Sequence, residues 1–183
     1  MEMSIIIKRV KDLGPMALIK DSHFRLYVEK FESEVNRGIS TLCILSIINQ
    51  SGNEGIYGYQ ILKELEIKTD EMLVIEEGTL YPLLKKLERD GIIESRKQTV
   101  SGRPRTYYFL TENGFKIYNH ITGFYTKLTE AISPLFDVNV KLQDRYLYCP
   151  NCANKIDLTE SDFNFCEICG LNIEELKTRG INK

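Results

Sequence analysis

From Ile75 to Leu110 the chain reads IEEGTLYPLLKKLERDGIIESRKQTVSGRPRTYYFL, and this stretch decides the fold. Proline lacks an N–H and fits a helix best in the first turn, where the N–H groups have no intrahelical partner. Pro82 therefore predicts a helix that starts no earlier than about residue 78, with Glu77 or Thr79 near its cap. Leu80, Leu83, Leu84 and Leu87 recur at i, i+3, i+4, i+7 and give one apolar face. Thr79, Tyr81, Pro82, Lys85, Lys86 and Arg89 take the opposite face. Asp90-Gly91 is the stop, because glycine accepts the left-handed conformation after a helix without steric penalty.

Two strands are expected next, over 92–100 and 104–111, both rich in β-branched and aromatic residues. Ser101-Gly102-Arg103-Pro104 between them is a turn. From Ser95 to Thr106 there are four cations (Arg96, Lys97, Arg103, Arg105) and no acid. On charge alone, a solvated helix with a surface hairpin and a nucleic-acid reader are equally good accounts. A cationic helix followed by a cationic hairpin is also the layout of a winged helix-turn-helix, whose helix enters the major groove while the wing lies on phosphates.

Several runs, in order, tip that balance: Tyr57-Gly58-Tyr59-Gln60-Ile61, Gly78-Thr79-Leu80-Tyr81-Pro82-Leu83-Leu84, Leu87-Glu88-Arg89-Asp90-Gly91, Gly102-Arg103-Pro104-Arg105-Thr106-Tyr107-Tyr108 and Leu110-Thr111-Glu112-Asn113-Gly114. Together, over roughly residues 36–133, they resemble the PadR-like transcriptional regulators. The resemblance implies a homodimeric DNA-binding repressor of the winged-helix type, and two-fold symmetry then predicts a palindromic operator in double-stranded DNA.

At 183 residues the chain fits one domain and a small appendage, and 43% hydrophobic residues suffice for a packed core. A net charge of −2 gives no global nucleic-acid signature, so DNA binding has to be local. Between Glu77 and Arg105 seven Lys/Arg stand against four acids, a balance of +3 within an acidic protein. No stretch approaches the length of a membrane-spanning helix, and Ile5-Ile6-Ile7 is too short for a signal peptide. A cytoplasmic protein is expected, whose five cysteines point to metal or free thiols before disulfides.

In chain order, Ile5, Ile6, Ile7 and Val10 suit a short strand or a helical turn, broken by Gly14-Pro15, and carry no functional assignment. Ser22 reads as the cap of a helix bearing Phe24, Tyr27, Val28, Phe31 and Val35, with Gly38 as its stop. That helix is as well suited to packing on a partner subunit as on its own domain. Ser40 to Asn49 is apolar almost all round and should be a buried helix, with Cys43 as a small core residue. After a loop at 50–55, Tyr57 to Leu65 is a helix from which Tyr59, Gln60 and Lys63 can reach the DNA backbone. Residues 67–75 are expected to connect and to pair with the wing.

Thr111 suits the cap of the next helix. There Tyr118, Ile121, Tyr125, Leu128, Ile132 and Leu135 alternate by three and four, the seam of a short coiled coil. Core packing on the same subunit is the alternative, and the resemblance favours a dimerisation helix. Pro134 ends or bends it. Tyr118, Phe124 and Tyr125 are also suited to lining an effector pocket at a dimer interface, although dimer packing explains them as well.

Cys149-Pro150-Asn151-Cys152 and Cys166-Glu167-Ile168-Cys169-Gly170 are two CxxC pairs separated by thirteen residues, the spacing of a zinc ribbon. Each turn aims two sulfurs at one point, so Cys149, Cys152, Cys166 and Cys169 are the expected ligands of one structural zinc per chain, with iron the second choice. Neither His23 nor His120 lies nearby, and no open position suggests catalysis. From Gln143 to Lys183 five cations face seven acids, a balance that favours a protein contact over DNA.

The expected fold is thus mainly α with a small β-hairpin wing: a three-helix winged core, a dimerisation helix and a four-cysteine zinc ribbon. Its parts are an N-terminal extension with an amphipathic helix (1–37), a winged helix-turn-helix DNA-binding domain (38–111), a dimerisation helix (112–136), a linker (137–147) and the ribbon (148–183). Winged helix followed by ribbon is also the layout of archaeal transcription initiation factor E, which makes a protein-contacting initiation adaptor the second reading. No Ser/His/Asp set, paired-carboxylate cleft or Gly-rich phosphate loop stands in a supporting context, so no enzyme is expected.

Overall fold

In a computed structural model of the chain, described at residues 22–100, 102–139, 145–159, 164–174 and 176, the first element is one long helix, α1 (Ser22–Gln50). The expected stop at Gly38 does not occur. Glycine lowers helix stability by only about 1 kcal/mol, and Ser40 Oγ donates to Asn36 O within the helix. The apolar segment after it buries Ile44, Leu45, Ile47 and Ile48, while Tyr27, Phe31 and Val35 of the first half are exposed. Residues 1–20, including the segment around Ile5 and Gly14-Pro15, lie outside the described residues.

A strand of two residues, β1 (Ile56–Tyr57), leads directly into α2 (Gly58–Lys68). β1 is the third strand of the wing sheet, a role expected of residues 67–75. That segment instead ends α2 and turns through Asp70 (φ 46) and Glu71 (φ 61). Two successive left-handed residues exclude a strand. Thr69 Oγ1 donates to Leu65 O (2.7 Å) and accepts from the Leu73 N–H (3.1 Å), fixing the turn, and Leu73 is buried.

α3 (Glu77–Arg89) buries Leu80, Leu84 and Leu87, with Leu83 half-buried. It starts at Glu77, one residue earlier than expected, and Pro82 is its sixth residue, in the second turn. The missing N–H deprives only the carbonyl of Gly78, which is exposed and open to water. At the other end Gly91 (φ 70) donates to Glu88 O and Ile92 donates to Leu87 O, the paired bonds of a Schellman stop.

β2 (Ile93–Val100) and β3 (Arg103–Leu110) pair antiparallel from Ile93↔Leu110 to Val100↔Arg103, and β1 adds on β3 at Ile56↔Tyr108. The core beneath holds Ile44, Leu45, Ile48, Ile61, Leu65, Leu80, Leu84 and Ile93, all nearly inaccessible to solvent.

The chain divides into two units, 1–111 and 112–183. The second opens with α4 (Glu112–Ile132), followed by a short 3-10 turn at Ser133–Phe136 where Pro134 interrupts the helix. No helix follows at 137–139, and 140–144, the middle of the expected linker, lie outside the described residues. β4 (Tyr146–Tyr148) and β5 (Lys155–Asp157) form a hairpin. Cys149, Ile156, Cys166 and Ile173 make a small core with Leu147, Leu171 and Leu176 against it. Arg145 donates to Asp157 Oδ2 (2.9 Å) and holds that carboxyl well below the usual carboxylate range.

Candidate DNA interface and cysteine centre

Within the first unit α2 and α3 form the helix-turn-helix. Thr79, Tyr81, Pro82, Lys85 and Lys86 are all exposed on α3, as are Tyr59 and Lys63 on α2, with Gln60 half-buried. Lys63 Nζ lies 5.4 Å from the Tyr59 ring centre. Tyr57 is the packed member of the Tyr57/Tyr59 pair, its ring edge-on to Tyr107 at 5.7 Å.

Gly58, which composition gave no reason to single out, is fitted to Tyr81. A Cβ on it would stand 2.7 Å from Tyr81 Cε1 and 2.9 Å from the hydroxyl. The signal was present in the order of the motifs, since Tyr57-Gly58-Tyr59 opens the helix that packs beneath Gly78–Leu84.

Alternation along β2 and β3 sorts the wing cations onto two faces. Ser95, Lys97, Thr106 and Tyr108 share one face, and Ser95 Oγ donates to Glu88 Oε1 of α3 (2.5 Å). Burial raises the Tyr108 phenol, with Tyr81 and Glu88 adding to it, so this face looks onto α3. Arg96 and Arg105 lie on the other face with Tyr107 and Phe109. Arg96 is ion-paired to Glu94 with its guanidinium 4.6 Å from the Phe109 ring centre, and Arg105 stacks 4.4 Å from that of Tyr57. The four wing cations are therefore not one set: Lys97 lies on the face that carries Ser95 and Tyr108, and Arg103 lies at the turn.

In the second unit α4 corrects the expected seam. Tyr118 is buried within its own chain, 6% exposed, with Lys155 Nζ 5.6 Å from its ring centre. Ile121 is half-buried, while Phe124, Tyr125, Leu128 and Ile132 are exposed. Tyr118 and Phe124 therefore do not share a pocket lining. For Tyr118 the alternative of packing on the same subunit holds, because β5 of the cysteine module packs on α4.

The four cysteines of the paired turns come together with their sulfurs within 4.8 Å of one another. Cys149 and Cys169 stand 3.6 Å apart, as do Cys152 and Cys166. Four sulfurs about 2.3 Å from one tetrahedral ion lie about 3.8 Å apart, whereas a disulfide needs about 2.05 Å. The donor set thus fits a soft or borderline metal ion. The two turns repeat one geometry: Ala153 N donates to Cys149 O and Gly170 N to Cys166 O, both 2.8 Å, with φ of 60 at Ala153 and 72 at Gly170.

Backbone N–H groups of Asn151 and Cys152 donate to Cys149 Sγ, that of Asn154 to Cys152 and that of Leu171 to Cys169. Such bonds favour thiolates. Burial nevertheless pushes Cys152 up to about 12, whereas exposed Cys169, receiving the Asn151 side-chain N–H, is lowered to about 6. Four thiolates gathered at this point would need a cation to balance them. Cys43 stands apart on α1, where burial raises its thiol and leaves it inert.

A family model described as the transcriptional regulator PadR-like family matches residues 44–119. A transcriptional regulator from Clostridium thermocellum is 37% identical, over 56% of this chain and 97% of that one, with a TM-score of 0.50. The chain belongs to the PadR-like family of transcriptional regulators. A PadR family regulator from Eggerthella lenta is 28% identical over 65% of this chain and all of its own, with a TM-score of 0.54. An uncharacterised protein of Lysinibacillus sphaericus is 31% identical over 101 residues, 55% of this chain and 90% of its own length. This PadR-like chain is accordingly a DNA-binding regulator with the winged-helix fold. The family match ends before α4 does, and all four clustered cysteines lie beyond it. Among the described residues no helix is long and apolar enough to cross a membrane.

Proposed function

We propose that the chain is a homodimeric, sequence-specific repressor whose α3 reads base edges. The observation that carries this is the run of Thr79, Tyr81, Pro82 and Lys85, all solvent-facing on a helix whose other side is core, the first three of them in its N-terminal half. The N-terminal half of a recognition helix is the part that reaches base edges. Tyr59, Gln60 and Lys63 contact the backbone from α2, and Lys86 supports α3. In the wing, Lys97 and Arg103 take the phosphates, with Arg96 and Arg105 in a lesser role because their guanidinium groups are engaged on rings.

Dimerisation falls to the α4 stripe of Ile121, Phe124, Tyr125, Leu128 and Ile132. Two-fold symmetry then demands a palindromic operator with half-sites about 34–36 Å apart. Cys149, Cys152, Cys166 and Cys169 hold one zinc ion per chain, which supplies folding energy that the small module core lacks. All four positions are filled by protein sulfur, so the ion's role is structural.

Selection of bound duplexes from a random library tests the reading. Enrichment of one palindrome supports it. Failure to enrich any sequence, with polymerase captured instead, would favour the initiation adaptor.

A further inference from the structure

α4 carries glycine at 123, mid-helix, where glycine is the poorest helix former after proline. Its neighbours explain it. A Cβ there would stand 1.9 Å from Ala153 O and 2.6 Å from Lys155 N. Both are backbone atoms, so no side-chain rotation makes room. Lys155 Nζ beside this seat lies between the rings of Tyr118 (5.6 Å) and Tyr146 (4.3 Å), and Tyr148 and Thr126 share a side-chain hydrogen bond.

The backbone that meets Gly123 follows directly on Cys152. Its conformation is that of the first cysteine turn: Ala153 has φ 60, its N–H closes on Cys149 O, and Asn154 O accepts from the Cys149 N–H at 3.0 Å. Wrapping of this turn around a metal and its fit on α4 are therefore one structural event. The helical period puts Gly123 and Thr126 on the side of α4 opposite Phe124 and Leu128, with Tyr118 between the two, in line with Tyr125 at the edge of the dimerisation stripe.

We propose that the cysteine centre is a metal-operated control element for DNA binding, with the Gly123 seat as the contact that couples metal occupancy to α4. This rests on the metal reading above. Metal release removes the energy that folds the turn and uncovers Tyr118 and Gly123. α4 then presents a second surface that competes with its dimerisation stripe, and the half-site spacing is lost. Linkage requires that operator binding tighten metal binding by the factor with which metal tightens operator binding.

The test uses the full chain, first analysed for metal, then compared loaded and chelator-stripped. Stripping should weaken binding to the selected operator about tenfold and accelerate amide hydrogen exchange across 118–126. Gly123→Val keeps all four cysteines; it should retain metal, bind the operator as weakly as stripped protein and ignore added metal. Lys155→Ala, which leaves the backbone seat intact, should show the same changes in smaller measure. Equal operator affinity with and without metal overturns the control element while leaving a structural metal site standing. A chain that holds no metal overturns both.

Discussion

Gly58 and Tyr81 are fitted to each other across the helix-turn-helix: the space where a Gly58 side chain would begin is filled by the Tyr81 ring, 2.7 Å from the ideal Cβ position. Tyr81 is held by backbone on that side and open to solvent on the other. Gly58→Ala should displace the ring with less than about 1 kcal/mol lost in stability, because the exposed ring can swing away. Operator affinity should fall by about 1–3 kcal/mol, the value of one base contact. In a double-mutant cycle with Tyr81→Ala the two losses should not add. Additive losses would show that Gly58 acts without Tyr81.

The sorting of wing cations predicts unequal effects on salt dependence. Arg103→Ala should weaken binding to every sequence and reduce the salt slope by about one. Arg96→Ala should change the slope less, since that guanidinium is held between Glu94 and Phe109. Salt titrations of both variants on operator and random duplex measure this. Equal slopes for both would remove the distinction between the cation at the turn and the ring-engaged Arg96.

Metal analysis of the purified protein should give about one equivalent of zinc per chain. Cys166→Ser should abolish it, and Cys43→Ser should leave it unchanged, because Cys43 sits on α1 apart from the cluster. Predominant iron, or no metal, would contradict the assignment.

Leu128→Glu places a charge in the middle of the exposed α4 stripe. Burying it in a dimer carries a large desolvation cost, so the dimer dissociation constant from sedimentation should rise at least about tenfold. An unaltered dimer would move the interface off this stripe.

Much of the fold was legible because local chemistry and tertiary structure agree there. The leucine spacing of α3, the Asp90-Gly91 stop and the paired CxxC turns each specify their own geometry. Where they disagree, the sequence misled. Gly38 looked like a stop, yet packing of the apolar turns after it carries α1 through. β1 is too short to show a period, so its pairing with β3 went to residues 67–75. Tyr118 fits a coiled-coil repeat perfectly well, but a module some thirty residues later in the chain covers it. The faces of the wing could not be read from charge either, since register decides which cations stand beside α3.

Sequence reading by α3 is tested by fluorescence anisotropy on the duplex upstream of the protein's own gene, beside a scrambled duplex, across a salt series. A regulator that reads sequence through α3 predicts a large specific excess that survives added salt, lost on Tyr81→Ala. Equal and steeply salt-dependent binding to both duplexes, unchanged by Tyr81→Ala, would contradict it.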